Sequence, residues 1–287
     1  MPYLAFITVV WALSFSLIGN YLAGHVDSDF AVLARVALAG LVFLPLTRLR
    51  GIAPQRIVGT MTAGALQFGI TYLLLYRSFA FLTVPEVLLF TIFTPIYITL
   101  IDDAFNRRFT PSAFAAALLA VVGSLVIRYD NLSAHYLTGF LMLQLANLTF
   151  AAGQIGYKYL LRRYPTDLPA RASFGWFFAG ALLVALPSYL IFGNPAKLPA
   201  TDVQWAVLAF LGLISSALGF FWWNKGATLV DAGTLGAMNN MHIPVGIALN
   251  LLIWNRHADI PRLLIGGAII ATAVWLNRRW RRATVEL

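Results

Sequence analysis

Ten windows of roughly 17–22 mainly apolar residues, each able to cross a ~30 Å hydrocarbon core, follow one another along the 287-residue chain. A backbone inside hydrocarbon must satisfy its own N–H and C=O groups, so windows of this kind fold as helices. The spans read as Tyr3–Tyr21, Phe30–Leu46, Ile57–Tyr76, Val84–Ile101, Pro111–Ile127, Tyr136–Tyr157, Ala172–Phe192, Val203–Trp222, Gly233–Ile253 and Pro261–Asn277. The connections are short, and none is long enough for a soluble domain. Composition agrees, with 60% hydrophobic and only 11% charged residues, against about 25% charged in soluble domains. The expected fold is an all-α integral membrane bundle of ten transmembrane helices. The first window has no basic residues ahead of it, unlike a cleaved signal peptide, and counts as a span.

The formal charge of +9 follows the loops. With the amino terminus inside, 14 of the 20 Lys and Arg residues fall in inner segments and five in outer ones, with Arg35 inside a span. The positive-inside rule then puts both termini in the cytoplasm of a bacterial-type inner membrane. Basic charge spread over membrane loops gives no reason to expect a nucleic-acid partner. There are no cysteines, which excludes disulfides, thiolate metal sites and a cysteine nucleophile. No HExxH motif, phosphate-cradling loop or credible Ser–His pair is present, so neither catalysis nor a cofactor or metal is expected.

One span is unusual. Gly233–Trp254 carries Asn239, Asn240 and His242 at its centre, followed directly by Pro244. An amide without a partner in hydrocarbon costs roughly 2–7 kcal/mol. Pro244 also frees the carbonyl of Asn240, four residues back. A polar, broken helix at the midplane suits a transporter's substrate site, although a proline-kinked packing helix would carry the same residues. The fourth span repeats the device, because Pro95 frees the carbonyl of Thr91.

That repeat is general. Leu13-Ser14-Phe15 is echoed by Leu148-Thr149-Phe150, Ala39-Gly40 by Ala179-Gly180, and Pro111 by Pro261, at offsets growing from 135 to 150 residues. Two halves follow, residues 1–131 and 132–287. Five spans is an odd number, so the halves lie in opposite orientations, as inverted-topology repeats around a central cavity.

In these residues the chain resembles the EamA-type ten-helix exporters of the drug/metabolite transporter superfamily. The points of likeness are Trp11 in a WxxxF-like first span and Arg35 in ARVALAGLVFLPL. YRSFAFLTVPE and its echo WNKGATLVDAG, with Pro95 and Pro244, complete them. Length and aromatic content look most like the YddG-like amino-acid exporters. Many relatives end the fourth-type helices in Gly-Glu, whereas here Asp102-Asp103 and Asn255 stand in those places. The resemblance implies spans one to four and six to nine around the cavity, spans five and ten at the periphery, and export of small metabolites.

The candidate substrate-binding residues are Trp11, Gln67, Tyr72, Thr91, Thr94, Tyr97, Asn147, Gln154, Asn239, Asn240 and His242, with Pro95 and Pro244 as hinges. Tyr97 and Asn240 together are expected to bind an ammonium or carboxylate through uncharged dipoles. Asn147 and Gln154 lie two helical turns apart and share a face. His242 is read as neutral and hydrogen-bonded, and Arg35 as structural. No span centre holds an Asp or Glu, which favours facilitative export over proton coupling. The expected substrate is a neutral or aromatic amino acid, moved by alternating access. A proton-coupled multidrug exporter is the near alternative, and a membrane enzyme or a structural or sensing protein the distant ones. Oligomeric state stays open, a monomer being sufficient.

Overall fold

The computed structural model describes residues 2–107, 134–230 and 232–254, with positions 109, 111, 115, 119, 122, 261, 264, 265, 268, 269, 272, 275 and 276. Among these there is no β-strand. Six helical stretches are long and apolar enough to cross a membrane. Five run without a break into two helices: α1 (Tyr3–Leu22), α2 (Ser28–Leu46), α3 (Pro54–Ser78), α7 (Arg171–Phe192) and α8 (Asp202–Thr228). The sixth, Glu86–Phe105, contains two helices, α4 (Val84–Phe90) and α5 (Thr94–Phe105), joined by a 3₁₀ turn.

Two expected spans have a different form from a plain apolar helix. The sixth lies in α6 (Ala134–Arg163), 30 residues long. Gln144, Asn147, Thr149, Gln154 and Lys158 along it make it too polar to join the six. The ninth is split at Met241 into α9 (Ala232–Asn240) and α10 (His242–Trp254). Pro111–Ile127 and Pro261–Asn277 lie mostly outside the described residues.

Local chemistry fixes the ends. The Asp27 carboxylate accepts from the Phe30 N–H at 2.8 Å and caps α2. Thr201 and Gln204 form a reciprocal capping box at the start of α8. Pro54 and Pro95 sit in the first turns of α3 and α5, where a missing N–H is harmless.

The helices pack closely because small residues line their crossings. A Cβ on Gly64 of α3 would sit 1.8 Å from the Phe177 carbonyl oxygen of α7, and one on Gly180 would sit 1.9 Å from the Met61 carbonyl oxygen. Backbone therefore meets backbone along this pair. A Cβ on Gly236 of α9 would sit 2.9 Å from the Pro95 side chain of α5. Around these contacts α7 packs on α2 and α3, α6 on α3 and α5, and α1 on α8 and α10. The outward-facing Leu41, Leu183, Leu190 and Leu252 are exposed, on a surface suited to acyl chains.

Two ends of the bundle can be told apart. At the end where α1 begins, Lys225 lies 5.2 Å over the Tyr3 ring, and Lys158 Nζ donates to the Val230 carbonyl at 2.8 Å. At the opposite end, Arg77 pairs with Asp29 at 2.7 Å and also donates to Ser188, tying α3, α2 and α7 together. Three helices relax to wider π turns, at Ile18–Leu22, Ala65–Ile70 and Phe210–Leu218. The last two fall at equivalent places in the sequence repeat.

Replacing Gly64 with alanine forces apart two backbones already in contact. The expected loss is at least about 1–3 kcal/mol, read as a lower melting temperature of the purified protein in detergent. Gly156→Ala is the control, since a Cβ there meets nothing within 4 Å.

Candidate functional site

The two broken spans meet at the centre of the bundle. α4 ends at Phe90, and the 3₁₀ turn Thr91–Phe93 leads into α5. A break here leaves carbonyls that hydrocarbon cannot satisfy, and side-chain amides from other helices satisfy them. Asn147 Nδ2 of α6 donates to the Phe90 carbonyl at 2.8 Å, and Asn240 Nδ2 of α9 donates to the Ile92 carbonyl at 3.3 Å. The Thr91 hydroxyl lies 2.6 Å from the Leu88 carbonyl oxygen and 2.9 Å from His242 Nε2. A hydroxyl has one hydrogen. It serves either the Leu88 carbonyl or His242 Nε2, and the histidine tautomer sets which. Phe15 stacks on the His242 ring, 5.2 Å between centroids and 9° between planes.

Beside this junction lies a cavity of about 50 Å³, smaller in this conformer than the ~300–1,000 Å³ of ligand-sized pockets. Its polar wall comes from Thr91, Thr94, Asn147, Asn239 and His242, and from Thr71 of α3. The apolar wall comes from Trp11, Phe15, Tyr72 and Phe150, with Leu75 and Leu143. Among the described residues no Asp or Glu lines it.

Of the eleven candidates, Trp11, Tyr72, Thr91, Thr94, Asn147, Asn239 and His242 line this cavity and four do not. The Tyr97 hydroxyl turns towards Gln144 Oε1 at 3.4 Å, and Asn240 is engaged with the Ile92 carbonyl. Tyr97 and Asn240, expected to bind a charged group together, each answer a neighbour on a different helix. Gln67 and Gln154 are fully buried off the cavity, and neither the nitrogen nor the oxygen of either amide has a partner. Pro95 and Pro244 occupy the first turns of α5 and α10, just past each break.

Sequence reasoning passed over Phe15, Thr71, Phe150, Leu75 and Leu143. Each carried a signal of spacing. Phe15 follows Trp11 by four residues, and Thr71 follows Gln67 by four, so each shares a helical face with a named candidate. Leu75 follows Tyr72 by three, Phe150 follows Asn147 by three, and Leu143 precedes Asn147 by four, so the same holds for them.

Aromatic rings close the space between the cavity and the end where α1 begins. Trp11 lies 4.6 Å from Trp223, 5.3 Å from Phe220 and 5.9 Å from Phe150, and Phe68 stacks on Phe220 at 4.7 Å. The Trp11 Nε1–H is held by the Ser215 carbonyl at 3.1 Å. Arg35 is also fully buried nearby, with its guanidinium carbon 4.3 Å over the Tyr72 ring.

A broken helix pair around a half-polar cavity, with one end plugged, is the architecture of a carrier. The EamA-like transporter family model matches residues 2–129 and 137–278. The chain belongs to the EamA-like transporter family. This EamA protein is 64% identical, over 282 residues, to a Pseudomonas aeruginosa protein described as "Probable biotin transporter", covering 98% of this chain and 99% of that one. It is 49% identical over 281 residues to the Escherichia coli K12 "Biotin transporter", covering 98% and 93%. A Streptantibioticus cattleyicolor "Probable terminal-alkyne amino-acid exporter" is 28% identical over 187 residues, covering 64% of this chain and 61% of that one. A solved crystal structure at 17% identity shares the fold, with a TM-score of 0.72 over 98% of this chain and 96% of that one. The protein is a membrane-embedded transporter of a small molecule, in a family of carriers rather than enzymes.

Asn147→Leu removes the donor that satisfies the Phe90 carbonyl. Leaving a buried acceptor unpaired costs about 1–3 kcal/mol, so the variant is expected to melt earlier. Thr62→Val is the control, because that exposed hydroxyl bonds back to the Val58 carbonyl of its own helix.

Proposed function

We propose that this EamA protein carries biotin, or a close ureido-carboxylate, across a bacterial inner membrane by facilitative alternating access. The observation that carries the reading is 64% identity over nearly the whole of both chains to a protein described as a probable biotin transporter. The chemistry of the cavity is compatible with it. A cyclic urea offers one carbonyl acceptor and two N–H donors, and the wall presents the amides of Asn147 and Asn239 with the Thr91–His242 pair. The thioether ring and alkyl chain are apolar, and Trp11, Phe15 and Phe150 supply apolar contact. Trp11, Tyr72, Thr91, Thr94, Asn147, Asn239 and His242 form the proposed binding surface. Residues 1–131 and 132–287 are the two inverted halves that rock about it, and both termini face the cytoplasm by the distribution of basic loops.

Facilitation is preferred to proton coupling because no carboxylate lines the cavity among the described residues. Glu86 is used near the opposite end, where it accepts from the Thr83 N–H at 2.6 Å. Export of neutral or aromatic amino acids is the second reading, favoured by the likeness to the terminal-alkyne amino-acid exporter. That likeness is weaker and covers under two thirds of either chain.

The test is counterflow of labelled biotin in proteoliposomes. Preloaded unlabelled biotin is expected to drive uptake of label, and preloaded phenylalanine or alanine is not. Thr91→Ala is expected to lower the initial rate roughly threefold to tenfold, as for loss of one hydrogen bond. The opposite preference among preloads would establish the amino-acid reading. Uphill accumulation driven by a pH gradient alone would sink the facilitative one.

A further inference from the structure

Arg35 is a cation in the middle of a membrane protein with no carboxylate beside it among the described residues. Its Nε donates to Ser216 Oγ at 3.1 Å, Nη1 to the Tyr76 hydroxyl at 3.1 Å, and Nη2 to Ser215 Oγ at 3.3 Å. All three partners are neutral. Consecutive serines reach the same guanidinium because they lie in the π turn Phe210–Leu218 of α8. A buried charge normally has an opposite charge beside it, and in a membrane span this holds more strongly. Arg77 at the end of α3 follows the rule with Asp29. Arg35 does not.

The guanidinium has five N–H donors, and the three hydroxyls take three. The remaining N–H groups, one on each of Nη1 and Nη2, meet Tyr72, whose hydroxyl and ring engage the guanidinium. Two parallel N–H groups are what a carboxylate accepts in a bidentate pair. Only one ring separates this fork from the cavity. Tyr72 lines the cavity and carries the Arg35 carbon 4.3 Å from its ring centroid. A turn of the Tyr72 side chain about χ1 would open the guanidinium to a bound molecule.

We propose that Arg35 anchors the carboxylate of the transported molecule, with Tyr72 as the ring that covers it when the site is empty. This rests on the reading that the substrate is a biotin-like acid. Arg35 then sets specificity for an anionic chain end, while the amides and the Thr91–His242 pair take the ureido end. It replaces the purely structural part expected for Arg35 from the sequence. The net charge around the site becomes positive rather than neutral, which favours a monoanion over a zwitterion.

The test compares biotin with its methyl ester, which keeps the ring and chain and removes the charge. Equilibrium binding to the purified full chain in detergent is expected to be about tenfold to hundredfold weaker for the ester, as for a hydrogen bond to a charged group. Arg35→Gln is expected to bring the acid-to-ester ratio close to one. Arg35→Lys keeps the charge where glutamine fails to fold, and is expected to lower the ratio severalfold, because an ammonium lacks the planar fork. Biotin binding with an equal ester affinity in the unmodified protein, or with the full ratio kept in the Arg35 variants, would overturn the assignment. A variant that melts earlier but keeps the ratio marks Arg35 as structural only. If neither biotin nor its ester binds the unmodified protein, the biotin reading itself falls, and this assignment falls with it.

Discussion

A helix interrupted inside a bilayer exposes carbonyl groups that lipid cannot hydrogen-bond, and this chain answers that constraint with side chains from other helices. Asn147 of α6 serves the Phe90 carbonyl, and Asn240 of α9 serves that of Ile92. Neither bond lies within one helix. The break in the fourth span is therefore stable only while α6 and α9 stand beside it, and the site exists only as a product of both halves of the sequence. Thr91 and His242, one from each half, make the same point at 2.9 Å. A midplane opening of this kind gives a solute polar groups already in place, with their backbone neighbours satisfied.

The rest of the bundle is unequal about that centre. Towards the end where α1 begins, Trp11, Phe68, Phe150, Phe220 and Trp223 fill the axis with rings in mutual contact. Aromatic rings suit a closure of this kind, since edge and face contacts re-form after a slide with little loss. Inverted repeats imply that the opposite closure is available through the counterpart residues of the other half. Glycine crossings at Gly64 and Gly180 keep α3 and α7 backbone-to-backbone, which makes this pair a rigid block rather than a seam.

Much of this was legible in the residues. Apolar windows gave the helices, and Pro95 and Pro244 gave the two breaks within a residue or two, because proline acts locally through a missing N–H. Thr91, Asn147, Asn239 and His242 were legible as polar groups at the depth of an apolar span. Which of them face one another was not. Tyr97 and Asn240 each found a partner on an unexpected helix, and the choice depends on helix rotation, which no single span encodes. The sixth window falls within α6, which is more polar than its neighbours because it supplies amides to others. Arg35 was visible as a charge in a span, but its neutral surroundings depend on a π turn about 180 residues away in the sequence. The choice between an amino acid and a ureido acid was not legible, because cavities for both call for amides, hydroxyls and rings.

Gln67 and Gln154 have a consequence for the carrier's resting balance. Both amides are sealed away with four polar atoms unbonded, in a region packed by Phe68 and by Gly153 against Gln67. Each such group raises the free energy of this conformer relative to one in which it is wetted or bonded. The chain thus holds an internal opposition between snug aromatic packing and unmet amides, and the two pull the cycle in opposite directions. A carrier with a single deep minimum would bind and stall. Wetting or bonding of these amides on opening would offset part of the ring packing lost there.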